Sequence, residues 1–129
     1  MMNKRILMID DEPDVLAGFR RNLKNNFEVY TAANSIEAMN VIKSSEEFAV
    51  IVSDYQMPGI NGIALFTIIK KMCPNSVRVL MTGHPDMEIA IDAVNEGHIF
   101  RFLTKPYPIS RLIRVINECI EKYNSKLKN

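Results

Sequence analysis

An α/β fold, with one parallel five-stranded sheet covered by five helices on its two faces, is predicted by three observations. Five short apolar runs alternate with five stretches of helical periodicity. No hairpin signal joins one strand directly to the next, so each connection is a crossover and the strands run parallel. The run Val50-Ile51-Val52 is apolar at successive positions, as expected of a strand buried on both faces. With 129 residues, 47% hydrophobic and 24% charged, the chain fits a single domain able to bury its own core. A net charge of +1 argues against direct binding of nucleic acid.

Arg5 to Ile9 forms the first strand, and Asp10-Asp11-Glu12-Pro13-Asp14 is a helix entry with Pro in the first turn. Val15, Leu16, Phe19 and Leu23 follow at helical spacing, and Asn25-Asn26 closes that helix. Glu28 to Ala32 is the second strand. Asn34, with Glu37 three positions on, has the capping-box pattern for a helix through about Lys43. The third strand ends in Asp54. Two turn signals follow, Pro58-Gly59 and Asn61-Gly62, before a helix from Ile63 to Met72 whose apolar face reads Leu65, Ile68, Ile69 and Met72.

Val77 to Met81 is the fourth strand, ending in Thr82-Gly83-His84-Pro85, and Met87 to Glu96 a helix with Ala90, Ala93 and Val94 inward and Gly97 as its stop. Ile99 to Leu103 is the fifth strand, delivering Thr104-Lys105-Pro106. Ile109, Leu112, Ile116, Cys119, Ile120 and Tyr123 stripe the last helix, and residues 124–129 are expected to fray or to begin a linker. Cys73 and Cys119 have neither zinc nor disulfide spacing and read as core thiols. The apolar run before Asp10 is too short for a signal peptide or membrane span, so a cytoplasmic location is expected.

If the strand order is 2-1-3-4-5, the strand ends bring Asp10, Asp11, Asp54, Thr82 and Lys105 to one edge, where ligands bind in open α/β sheets. Three crowded carboxylates require raised pKa values or a bound cation, and hard oxygen donors favour Mg²⁺. A carboxylate beside that ion can attack phosphorus and form an aspartyl-phosphate. Lys105 and Thr82 would then hold phosphoryl oxygens, the charge-assisted bond being worth about 1.5–3 kcal/mol. Taken singly, the acids could be helix-terminus residues, Thr82 a cap and Lys105 a solvated lysine.

Asp10-Asp11, Asp54 with Met57-Pro58-Gly59, Thr82-Gly83 and Lys105-Pro106, in this order at strand ends, resemble the receiver domain of two-component response regulators. The resemblance runs from about Lys4 to Tyr123 and makes residues 1–129 one receiver domain. It implies a flavodoxin-like doubly wound sheet and a histidine kinase or phosphotransfer protein that donates the phosphoryl group to Asp54. By motif position, Asp11, Asp54 and the backbone carbonyl of Gln56 would ligate Mg²⁺, with Asp10 acting mainly through water. The resemblance also implies a switch built from Thr82 and Phe102, and a cis bond before Pro106 that aims Lys105 over the strand ends.

Gln56 and His84, two positions after Asp54 and Thr82, are expected to tune dephosphorylation. Phe100 shares the alternation of Phe102, so pattern alone leaves their roles open. Arg101, Arg111 and Arg114, with Asn95 and Glu96, would decorate a surface for an output domain, a downstream protein or a second copy of the phosphorylated chain. The competing class is a Mg²⁺-dependent phosphatase or phosphomutase, which would place a second acid where Gln56 stands. A degenerate receiver used only for docking is disfavoured by the intact acids, Thr82 and Lys105.

Overall fold

The structure is a computed structural model that describes residues 2–83, 94–95 and 99–127, with the side chain of Leu127 excluded. Five strands, β1 (Arg5–Ile9), β2 (Glu28–Ala32), β3 (Val50–Asp54), β4 (Val77–Thr82) and β5 (Arg101–Thr104), pair in parallel in the order β2-β1-β3-β4-β5. The four helices described are α1 (Pro13–Leu23), α2 (Ser35–Ser44), α3 (Gly62–Met72) and α4 (Ile109–Leu127). The helix expected over Met87 to Glu96 lies outside the described residues except for Val94 and Asn95, which are helical. Both of those face solvent, so Val94 does not point inward as its place in the pattern suggested.

Two cores flank the sheet. Leu16, Phe19 and Leu23 of α1 meet Leu112, Ile116, Cys119 and Ile120 of α4 on one face. Ala38 of α2 and Leu65, Phe66 and Ile69 of α3 cover the other. Every residue of β3 and β4 is buried, the price of being central in a doubly covered sheet, whereas β2 and β5 are edges with partial exposure.

The helix entries follow their caps. Asn34 Oδ1 accepts from the Glu37 amide at 2.8 Å, and Glu37 Oε2 accepts in return from the Ala33 amide at 3.3 Å, one residue before the usual capping-box partner. Asn61, read above as a turn residue, is the N-cap of α3 and accepts from the Ala64 amide at 2.9 Å. Gly62 is then the first helical residue, pressed against the end of β3. That contact sets the rotation of α3, so its buried face is Leu65, Phe66 and Ile69, and Ile68 is 38% exposed.

Three further boundaries differ from the sequence pattern. β5 starts at Arg101, not Ile99, because pairing with β4 begins at Val79↔Arg101. Phe100 therefore precedes the regular pleat and packs on the α1/α4 side, while Phe102 packs on the α2/α3 side, so the two are not same-face neighbours. Ile109 is 38% exposed because it opens α4, before the packed stripe begins at Leu112. At its other end α4 continues through Leu127, with Tyr123 Oη donating to Glu47 Oε1 at 2.5 Å and the Asn124 side chain donating to the Ile120 carbonyl at 2.8 Å. Both cysteines are buried free thiols as expected, Cys73 standing at the end of α3. Among the described residues no helix is long and apolar enough to cross a membrane.

Candidate functional site: an acidic pocket at the carboxyl edge of the sheet

Parallel pairing places the last residues of β1, β3, β4 and β5 along one edge. Asp10 follows the end of β1, Asp54 ends β3 and Thr82 ends β4, whose Met81 lies directly beside Asp54 in the register. Asp10, Asp11 and Asp54 each present a carboxylate oxygen within 4.8 Å of the others, Asp10 buried, Asp54 largely so at 9% exposure, and Asp11 exposed. Lys105 reaches back over them, its Nζ 3.3 Å from Asp54 Oδ2 and 4.0 Å from Asp10 Oδ2. The Lys105 backbone amide donates to the Thr82 carbonyl at 2.8 Å, and the Lys105–Pro106 bond is cis as expected.

Asp10 is more than a helix-entry acid. Its Oδ1 accepts from the Glu12 amide at 2.9 Å, which is the local role any acid before α1 could take. Its Oδ2, however, is buried without a hydrogen-bond partner and faces the cluster. Burial raises the Asp10 pKa above the usual carboxylate range; the Glu12 amide opposes this, the charge of Asp54 adds to it, Lys105 opposes it and Asp11 adds a little more. A buried, unsatisfied carboxylate oxygen beside two other hard oxygen donors fits a divalent cation such as Mg²⁺.

The raised Asp10 pKa fixes the sign of a pH effect. A carboxyl whose folded pKa exceeds its unfolded value stabilises fully below the unfolded pKa, and that stability is lost as pH rises through the folded pKa. Thermal melts in EDTA from about pH 4 to 7 should therefore fall more steeply with pH for the wild type than for Asp10→Asn. At the upper end Asp10→Asn should melt a few degrees higher, on the order of 1 kcal/mol, and Mg²⁺ should narrow the gap. Identical profiles would refute the raised pKa of Asp10.

The remaining predicted residues fall at the same edge or behind it. Thr82 is buried, and Phe102, opposite Leu80 in β5, packs with Leu80 on the α2/α3 side, the side to which alternation assigns Thr82. Gln56 is exposed in the loop leaving β3, and Gly59 there takes φ 87°, which explains Pro58-Gly59 as a turn. His84 lies outside the described residues. Tyr107 was missed from sequence. It is half-buried, its hydroxyl meets Met81 Sδ at 2.8 Å, and burial with the charges of Asp10 and Asp54 pushes its pKa to about 12. A tyrosine two residues after Lys105 was the available signal, but nothing in the pattern distinguished it from a loop aromatic.

A doubly wound sheet whose carboxyl edge gathers three acids, two of them facing one lysine, is the arrangement that the resemblance to receiver domains implied. The family model for the response regulator receiver domain matches residues 6–117, and the chain belongs to that family. The C4-dicarboxylate transport transcriptional regulatory protein DctD of Rhizobium meliloti is 32% identical over 126 residues, covering 96% of this chain and 27% of that protein. The chain thus spans about a quarter of the length of the curated relatives it matches. Among solved structures, one described as adenylate cyclase from Rhodopirellula baltica is 40% identical with a TM-score of 0.95, covering 98% of this chain and 94% of that one. The beryllofluoride-activated NtrC4 receiver domain dimer is 33% identical with a TM-score of 0.84, covering 93% and 98%.

Proposed function

We propose that this receiver domain is switched by phosphorylation of Asp54, and that the approach of Lys105 Nζ to Asp54 Oδ2 at 3.3 Å within the acidic cluster is the observation that carries the reading. A carboxylate oxygen of Asp54 attacks the phosphorus of a phosphohistidine on a kinase or phosphotransfer protein. A phosphorus–oxygen bond forms, and the phosphorus–nitrogen bond breaks with its electron pair returning to the imidazole. Asp11, Asp54 and the Gln56 carbonyl would hold Mg²⁺, with Asp10 behind them; when bound, the ion neutralises charge on the phosphoryl oxygens. Lys105 turns from the carboxylate to a phosphoryl oxygen, and Thr82 supplies a hydroxyl to another.

Thr82 and Phe102 lie on one side of the sheet, and movement of the first toward the phosphoryl group would free space for the second. Such a relay has about 5.5 kcal/mol to supply if it is to move the domain from almost wholly off to almost wholly on. The output domain or downstream partner would read the change beside β5 and α4, where a phosphorylated second copy is the other candidate. DctD is named a transcriptional regulator and the R. baltica neighbour an adenylate cyclase. Two outputs named on one fold mean that the fold does not specify the output. A cytoplasmic setting and a regulatory, non-turnover role fit this reading. The phosphatase or phosphomutase reading is disfavoured because Gln56 stands where a second acid would be needed.

Incubation with Mg²⁺ and acetyl phosphate, followed by intact-mass measurement, tests the proposal. One phosphoryl group should be gained and retained over minutes, and EDTA should prevent the gain. Multiple turnover of a phosphoester with no lasting mass gain would overturn it. Gln56→Ala should change the lifetime of the phosphorylated form several-fold, on the order of 1 kcal/mol in the barrier to water attack, while leaving the gain itself intact. An unchanged lifetime would remove Gln56 from the dephosphorylation step.

A further inference from the structure

Lys105 depends on its backbone for its place in the acidic pocket. Its side chain is 36% exposed on a long flexible stem, and an ion pair so open to water holds a lysine only weakly. Its ammonium nevertheless stands 3.3 Å from Asp54 Oδ2 and 4.0 Å from Asp10 Oδ2. The chain that carries it is fastened to the end of β4 on both sides of Pro106. Before it, Thr104 pairs with Thr82, and the Lys105 amide donates to the Thr82 carbonyl at 2.8 Å. After it, Tyr107 Oη meets Met81 Sδ at 2.8 Å.

Met81 is fully buried, lies beside Asp54 in the register and accepts at its carbonyl from the Tyr55 amide at 2.8 Å. One residue of β4 thus borders the acceptor strand through its backbone and the loop bearing Lys105 through its sulfur. Tyr107 lies between Pro106 and Pro108, both exposed, with its own ring half-buried against the α1/α4 core. A phenylalanine would fill that space equally well. The hydroxyl, however, is aimed at a buried sulfur. Burial raises the Tyr107 pKa to about 12, with the charges of Asp10 and Asp54 adding to it, so the phenol stays a donor across the neutral range. A thioether is a weak acceptor, and the contact therefore steadies the loop without locking it. That suits a lysine that must turn from a carboxylate to a phosphoryl oxygen.

We propose that Tyr107 is a positioning residue for the phosphorylation of Asp54: docked on Met81, it holds the Lys105 ammonium over the acceptor carboxylate before the phosphoryl group arrives. The inference rests on Asp54 being the acceptor and Lys105 its cationic partner. Uptake of a phosphoryl group from acetyl phosphate and Mg²⁺ is followed by intact mass in wild type, Tyr107→Phe, Tyr107→Leu, Lys105→Ala and the Lys105→Ala, Tyr107→Leu double variant. Mg²⁺ affinity is measured on each by isothermal titration, and a thermal melt confirms that each is folded. Tyr107→Phe keeps the ring and carries the test if Tyr107→Leu unfolds.

Tyr107→Leu should slow uptake about tenfold and Tyr107→Phe about threefold, the scale set by small misplacements of a group that stabilises developing charge. Mg²⁺ affinity should be unchanged in both, because Asp10, Asp11 and Asp54 are untouched, whereas a general loosening of the edge would weaken it as well. In the Lys105→Ala background Tyr107→Leu should slow the reaction no further, since a residue acting through Lys105 has nothing left to position. Mg²⁺ affinity lost in parallel with rate, or a slowing that persists in full without Lys105, would overturn the proposal. A wild type that takes up no phosphoryl group would overturn this role together with the assignment of Asp54; a wild type that takes one up, with both Tyr107 variants equally fast, would overturn the role of Tyr107 alone.

Discussion

Asp54→Asn protein is expected to gain no phosphoryl group from acetyl phosphate and Mg²⁺ under conditions in which the wild type gains one. The amide keeps the size of the carboxylate but lacks the anionic oxygen that attacks phosphorus. Lys105→Ala should keep the acceptor yet slow its phosphorylation by about 10²-fold, the usual loss when a preorganised positive group is removed from developing charge. The two residues work as a unit, since Lys105 Nζ lies 3.3 Å from Asp54 Oδ2, so the double variant should be no worse than Asp54→Asn alone. Stability should move little in Lys105→Ala, because the Lys105 side chain is 36% exposed and such pairs contribute roughly 0–1 kcal/mol. Intact mass over time checks the first statement and phosphorylation rate the second. A phosphoryl gain in Asp54→Asn at another residue would displace Asp54 as acceptor.

The strands and the acidic pocket were legible in the sequence for one reason: parallel crossovers force the carboxyl ends of neighbouring strands onto one edge. Asp10, Asp54 and Lys105 are dozens of positions apart, yet each ends or follows a strand, so topology alone brings them together. What the sequence left ambiguous is rotation about an element's own axis. In α3 the sets Leu65, Ile68, Ile69, Met72 and Leu65, Phe66, Ile69 both satisfy helical spacing, and only the contact of Gly62 with the end of β3 selects the second. Phe100 and Phe102 posed the same problem in β5, settled by where pairing begins. The burial of Arg78 in β4 was invisible for a different reason. Its neighbours Val77 and Val79 carry the strand signal, and a buried cation has no periodicity of its own.

Gly62→Ala should be among the most damaging single-methyl additions in the chain. Two effects oppose one another. Alanine is a better helix former than glycine by roughly 1 kcal/mol, and on propensity alone the substitution would stabilise α3. A Cβ on Gly62, however, would lie 2.6 Å from the Asp54 carbonyl oxygen and 2.6 Å from Leu80 Cδ1. Leu80 can rotate within limits, but the Asp54 oxygen belongs to the backbone of a central, fully buried strand and cannot yield without moving β3. Overpacking of this kind costs about 1–3 kcal/mol or more, so a net destabilisation of about 2 kcal/mol is expected, and Gly62→Val should exceed it. Displacing that carbonyl also shifts the acceptor side chain, because Asp54 carries both groups. Where Gly62→Ala remains folded, its phosphorylation by acetyl phosphate should be slowed by about 10-fold or more, as expected when a reacting atom is moved by a fraction of an ångström. Chemical denaturation and the phosphorylation rate together decide the matter: unchanged stability with an unchanged rate would show that α3 can retreat from β3, and that Gly62 does not fix where the acceptor stands.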